Sequence, residues 1–499
     1  MDLINEFAYI LSKNKPTDFN TVLPVNSKIR RLYDLVVSNK AKNDTEASKL
    51  IYDSTKADKK YLMLKRNLVQ KLSDLVYLQN YQETENENYM TIHFQVEKEL
   101  LIVEKLLLKN VYHNPTKIIT KVEQTAEKFF FIDIQVAAAR KFRSVYSLKG
   151  FPKETVAYDE KVKQLTKYQN YYSASRGMWE KLYSKTKYSI AKTNEIVREA
   201  LEYSQNISKW LKDYDSPFIR LYYHQINILL YHQLNQQPKV LEHITKTEKL
   251  ITDFPFIDTK ALQLDINYYF ARYFRDTHQI ELAEQNLTKC LEKSDYRAFD
   301  KFLIQELNFD IKIKQKQYTE AANILNEVVN TPQFQFLDAN DKSAWVIREA
   351  FIFFLLHMEN NQELINKLSI FGDEKSLHYF LEKANKSTKD KFGYNINLLI
   401  IRVLLFKIYK QTDIDNEGNN LSIYYHRYLK KLNSKRTVAF FRHLGKSASQ
   451  DFDYNELIIR KEKFLNRLKE INDPNYDVFE IIPYEKFWEL LIQLSEKKH

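Results

Sequence analysis

Two stretches of this 499-residue sequence carry side chains suited to meeting an anion. In the first, TEASKLIYDSTKADKKYLMLKRNLVQKL, the residues Tyr61, Leu64, Leu68, Leu72 and Leu75 form an apolar stripe at helical spacing. Lys59, Arg66 and Gln70 fall on the opposite face, and with Lys65 they are candidate nucleic-acid contacts. From Lys28 to Lys71 there are twelve Lys or Arg against five Asp or Glu. The second stretch, Tyr424 to Lys446, holds Arg427, Lys430, Lys431, Lys435, Arg436, Arg442 and Lys446, and no acid. Tyr424, Tyr425, Tyr428, Phe440 and Phe441 are interleaved with them. Cations neutralise phosphates, and aromatic faces stack exposed bases. The competing reading is two amphipathic helices whose rings are buried and whose cations are solvated.

Other chemistry is poorly represented. HExxH, GxxxxGK, GxSxG and CxxC are all missing from the sequence. His224 and His232 stand eight apart on one helical segment, roughly 12 Å along its axis, too far to chelate one metal ion. Asp413, Asp415, Glu417 and Gly418 resemble the start of a calcium loop, but its twelfth position falls on Tyr424, where a bidentate Glu is needed. The loop reads as an inter-helix connection. Cys290, the single cysteine, reads as a small core residue, and one cysteine cannot make an internal disulfide. No set of residues is nominated as catalytic, cofactor-binding or metal-ligating.

The elements that position these residues read as helices throughout. Lys28 to Ser38 is amphipathic, with Ile29, Leu32, Leu35 and Val36 on one face. Thr45 is expected to cap a helix running to Tyr52, since Asp44 and Thr45 are good N-terminal residues, and a long helix begins near Lys59. This arrangement resembles a helix-turn-helix, in which the second helix enters the major groove. It also reads as an N-terminal helical cap on a repeat array. Further helices follow over 89–109, 116–131 and 132–148, with Gly150 and Pro152 ending the last. Residues 155–215 read as Tyr-rich helices broken near Ser173 to Gly177 and near Thr193. A hairpin spans Leu221–Leu234 and Val240–Ile251.

From Ile266 to Val329 the pattern is that of paired helices. Ala271, Phe274, Ala283, Leu287 and Cys290 describe a helix, a turn and a second helix packed on the first. Tyr318, Ala321, Leu325 and Val328 continue with a helix of the same kind. These positions resemble the tetratricopeptide family, whose motif of about 34 residues folds as two antiparallel helices. Three departures stand out: the second unit matches in its second helix and not in its first, Ala283 and Ala321 are 38 residues apart, and Phe270 stands where the family favours Leu. The resemblance implies a right-handed superhelix of hairpins and a scaffold that holds a partner segment in a concave groove.

Composition agrees with a helical chain. Six Gly and ten Pro lie well below the roughly 7% and 5% of an average protein. Gly supplies the positive-φ positions of nucleotide loops and catalytic elbows, so long helices with plain connections are expected. The start of the chain lacks a signal-peptide pattern, and its apolar windows are short or carry Arg402 and Lys407. A cytoplasmic protein without membrane association is expected. The net charge of +11 favours anionic partners. The expected organisation is a helical module over 1–84, a repeat array over 85–410, and basic and capping helices over 411–499. The fold expected is all-α, with helical caps at both ends. The leading expectation is a non-catalytic scaffold for another protein or peptide. The alternative is a nucleic-acid-binding regulator, with residues 27–80 reading DNA and the repeats acting as a sensor or oligomerisation arm.

Overall fold

A computed structural model describes residues 1–13, 16, 18–78, 88–111, 113–187, 194–292, 298–337, 339–370, 380, 394–409, 414–429, 435–448, 450, 452–471 and 480–496. Among them there are helices and no strand. The chain divides into two compact units, Met1–Phe129 and Phe130–His499.

The first unit contains α1 (Asp2–Lys13), α2 (Phe19–Val22), α3 (Lys28–Val37), α4 (Asp44–Tyr52), α5 (Lys59–Leu78), α6 (Asn88–Leu108) and α7 (His113–Lys128). The α5 stripe forms as its spacing predicts: Tyr61, Leu68, Leu72 and Leu75 are fully buried, with Leu64 packed beside them. Ile4 and Leu11 of α1 and Leu32 and Val36 of α3 complete this core. The start of α4 differs from expectation. Asn43 is the cap, its side chain accepting from the Glu46 N–H at 2.9 Å, while Glu46 accepts from the Lys42 N–H at 2.8 Å. That arrangement satisfies two free donors at the helix start. It leaves Asp44 able to bind α5 instead.

The second unit begins with α8 (Ile132–Leu148), α9 (Pro152–Lys187) and α10 (Asn194–Asp213). The expected break at Ser173–Gly177 does not occur, since α9 runs unbroken for 36 residues, and the break expected near Thr193 lies outside the described residues. A mid-helix Gly costs only about 1 kcal/mol. Here it is outweighed by Tyr171, Tyr172, Met178, Trp179 and Leu182, which pack into one core. Gly177 itself faces open space. The α9 helix serves as a strut, touching α8, α10 and α11 (Pro217–Gln233).

Hairpins follow in order: α11 with α12 (Gln237–Asp253), α13 (Lys260–Asp276) with α14 (Ile280–Leu291), and α15 (Ala298–Lys314) with α16 (Tyr318–Val329). Next come α17 (Ala339–Met358) and the short α18 (Gln362–Ile365). Each element packs on the next, as in an α-solenoid. Ala271, Ala283, Leu287 and Cys290 are buried in one cluster with Phe274 packed against it. Tyr318, Ala321, Leu325 and Val328 are buried in another. Ala at the crossings lets the helix backbones approach closely.

The hairpin turns repeat one geometry. Gly150, Asn235, His278, Lys316 and Asn360 all have positive φ, from 55° at Asn235 to 74° at Gly150. The next residue's N–H then reaches five residues back: Gln236 to Tyr231 O, Gln279 to Phe274 O, Gln317 to Lys312 O and Asn361 to Leu356 O, each at 2.8–2.9 Å. This satisfies carbonyls left free at the helix end. The connections are therefore not plain. The left-handed positions exist, and Asn, His and Lys occupy four of these five.

The unit closes with α19 (Tyr394–Ile408), α20 (Ile414–Arg427), α21 (Lys435–Ala448), α22 (Tyr454–Ile471) and α23 (Tyr484–Glu496). Much of the segment read as a polar loop is thus the start of a helix; Asp413 lies outside the described residues. The closing helices share one core with α15–α17, which includes Phe309, Trp345, Phe354, Phe440 and Trp488. No helix among the described residues is long and apolar enough to cross a membrane.

Candidate functional site

The first helices of the hairpins are buried on nearly every side. No residue of α11 is exposed, and α13 exposes only Lys260 and Ala261 at its start. The second helices, such as α12 and α14, present polar faces outward. Charged groups on the first helices must therefore find partners within the protein, since an unpaired buried charge costs several kcal/mol.

They do so in a ladder that crosses the first helices of four successive hairpins, α11, α13, α15 and α17. His232 on α11 meets Asp276 at 3.2 Å through Nε2, and its Nδ1 lies 3.4 Å from an Arg272 nitrogen. Arginine only donates, so Nδ1 accepts and Nε2–H donates to Asp276. Arg275 donates to Asp276 at 2.8 Å and to Asp310 on α15 at 3.1 Å. Arg348 on α17 lies 3.6 Å from the other Asp310 oxygen and donates to Glu306 at 3.4 Å. Burial alone would raise the Asp276 carboxyl, but Arg275, His232 and Arg272 hold it well below the usual carboxylate range. Burial raises Glu306 despite Arg348. Arg272, Arg275 and Arg348 face Asp276, Asp310 and Glu306. The signs balance, so the ladder offers no net charge to a substrate.

The ladder also reaches the end of the chain. Lys314 on α15 donates to the Glu480 carbonyl at 2.7 Å. Burial, with Arg275 adding to it, pushes Lys314 down to about 8. The Glu480 side chain takes a bidentate pair from Arg436 at 2.8 and 2.9 Å, and Arg436 also holds Glu485. Thr437 and the Tyr484 hydroxyl lie 2.8 Å apart, and Phe440 stacks on Tyr484 with centroids 4.0 Å apart. Arg436 is therefore a positioning residue for α23. It is not a surface contact for nucleic acid, because burial and two carboxylates enclose it.

The other nominated cations divide by location. Lys65 donates to both oxygens of Asp44 at 2.8 Å, and Tyr61 donates to the same carboxylate at 2.8 Å. Lys65 thus ties α5 to α4, contrary to a role in reaching outward. Lys59, Arg66 and Gln70 are exposed on α5, Gln70 donating to Asp74 at 3.2 Å. Arg427, Lys435 and Arg442 are exposed on α20 and α21. Lys430 and Lys431 lie outside the described residues. The rings of that stretch take the buried reading in part: Phe440 and Phe441 are core, while Tyr425 and Tyr428 stay half-buried.

Sequence reasoning missed the ladder. Its residues Arg275-Asp276, Asp310 and Arg348 stand among other polar positions on the same helices, and no motif links them. It also missed the pairing of His224 with His243, whose Nδ1 atoms lie 2.9 Å apart on α11 and α12. One ring must donate and the other accept, so the pair cannot hold two protonated rings comfortably.

These features define a class: an all-α protein of consecutively packed helical hairpins with a self-neutralised polar interior. No family model, curated protein or solved structure matches the chain.

Proposed function

We propose that this protein is a non-catalytic scaffold of tetratricopeptide-like type, which binds a segment of another protein. On this reading the hairpins form a right-handed superhelix in the cytoplasm, with helical caps closing both ends. The observation that carries the reading is the ion ladder, which fixes the spacing of four successive first helices. A scaffold needs such fixed spacing, because a pre-set surface loses little entropy when a partner docks. The contact groups are the half-buried Tyr222, Arg272 and Tyr273 on α11 and α13. The test is selection of peptide ligands from a display library against the full chain, followed by titration of a Tyr273→Ala variant. Saturable binding that weakens in the variant supports the reading. Peptides that bind both proteins equally, or an absence of ligands, would sink it.

The alternative of a nucleic-acid-binding regulator draws on one observation. Lys59, Arg66 and Gln70 share an exposed face of α5 while the opposite stripe is buried. Duplex binding lost on Lys59→Glu and Arg66→Glu substitution, with folding intact, would favour it.

A further inference from the structure

The helices α20 and α21 enclose a groove of about 370 Å³, lined by Ser422, Tyr425, His426, Phe441, Arg442 and Lys446. Beside it the two helices cross closely. A Cβ at Gly445 would lie 3.2 Å from the Ser422 hydroxyl and 3.7 Å from Leu421 Cβ, so glycine allows the two helices to approach. Ser422, Tyr425 and His426 occupy one face of α20, at helical spacings of three and four. Arg442 and Lys446 are one turn apart on α21, and both are exposed.

Three features point to one ligand chemistry. The first is charge. No acid occurs in the sequence between Glu417 and Asp451, and Arg442 makes no ion pair with any described residue. The second is the field. Burial, reinforced by Arg442, Arg460, Lys446 and Lys463, pushes the neighbouring His443 down to about 4. Cations from α21 and α22 therefore act together at this edge. The third is the wall. The Tyr425 and His426 rings meet edge to face with centroids 5.1 Å apart, and Tyr425 is half-exposed.

We infer that this groove binds single-stranded nucleic acid, with Arg442 and Lys446 on successive phosphates and the Tyr425 ring against a base. Cations alone would suit any polyanion; an aromatic ring beside them adds stacking, which a carboxylate chain cannot use. Duplex DNA is read by an element that projects into its groove. Here the ring and cations line a recess, which accepts an unpaired base. The inference is independent of the scaffold reading, because it uses none of the hairpins' first helices.

The test is fluorescence anisotropy of the full chain with a labelled single-stranded oligonucleotide of about 15 nucleotides, at roughly 50 and 200 mM salt. Its duplex and a poly-glutamate peptide serve as competitors. The Arg442→Glu, Lys446→Glu double variant is expected to bind more weakly, with a salt slope shallower by about 1.4, the share of two phosphates on a single strand. Tyr425→Ala is expected to lose roughly fivefold or more in affinity with the slope unchanged. Far-ultraviolet circular dichroism and melting show that each variant remains folded. Binding unaffected by the double variant overturns the inference. So does tighter binding of poly-glutamate than of the oligonucleotide, which would assign the groove to an acidic protein. Duplex binding as tight as single-strand binding, with Tyr425→Ala silent, overturns the role of the ring and the single-strand assignment together.

Discussion

Arg275 and Asp310 stand 35 positions apart in sequence and 3.1 Å apart in space, joining the first helices of two successive hairpins. Asp310 is shared, because Arg348 from the next hairpin lies 3.6 Å from its other oxygen. One carboxylate thus links three helices, and Arg348 adds a second link to α15 through Glu306. Removing it takes one carboxylate from each of two buried guanidinium groups, leaving Arg275 with Asp276 and Arg348 with Glu306.

Asp310→Ala should therefore cost about 3–5 kcal/mol, the usual penalty for breaking a buried ion pair from one side. Glu180→Ala, which breaks an exposed pair with Arg176, should cost less than 1 kcal/mol. Urea denaturation of the two variants checks the contrast, and equal midpoints would contradict it.

Lys316 occupies a left-handed turn position with φ of 61°. A residue with a Cβ pays roughly 1 kcal/mol or more there. Lys316→Gly should raise the melting temperature, whereas Lys316→Val should lower it, since a β-branched residue fits that region worst. Differential scanning calorimetry reads both; a destabilised Gly variant would show that the Lys side chain contributes more than its backbone costs.

Acid should destabilise the protein in two windows. Burial pushes His224 down to about 3 and His243 to about 4, and His443 also falls to about 4. Below the ordinary histidine value of 6.5 the unfolded chain binds protons that the folded chain refuses. Stability then declines as pH falls from about 6.5 to about 4. Asp276 acts lower: its contribution is present above the ordinary value of 3.8 and is lost as pH falls through its depressed folded value. Melting curves between pH 7 and 4 should slope downward, and His443→Gln should flatten part of that slope. A level profile would contradict the buried neutral rings.

Lys65→Glu should loosen the first unit by roughly 1 kcal/mol or more, because it sets a second carboxylate against Asp44. Arg66→Glu, one residue on and exposed, should leave stability within about 0.5 kcal/mol. Hydrogen exchange of the α4 and α5 amides separates the two. Equal protection in both variants would remove Lys65 from its place in the α4–α5 contact.

The helices were legible because their stripes are regular. Leu68, Leu72 and Leu75 in α5, and Ala283, Leu287 and Cys290 in α14, need only local spacing to be read. The turns were less legible, since Asn235, His278 and Lys316 do the work usually assigned to glycine. A Gln follows each of the three, which is a signal a reader could have used. Arg436 looks like a surface cation in the sequence because it sits in a run of cations. Nothing near it in sequence shows that Glu480 and Glu485, over 40 residues later, will enclose it. The continuity of α9 is hidden for the opposite reason: Gly177 is a local helix breaker, and the tertiary contacts that overrule it come from distant residues.

The ladder bears on how such a chain can change length. Repeat arrays commonly grow and shrink by gain or loss of whole modules, because each unit meets only its neighbours. Here every cut between hairpins from α11 to α17 divides an acid from its base. A recombination event that deleted the α13–α14 hairpin would remove Asp276 from His232 and Arg275 from Asp310. Loss of a whole hairpin therefore carries a cost in unpaired buried charge that substitutions on the outward faces of the second helices do not.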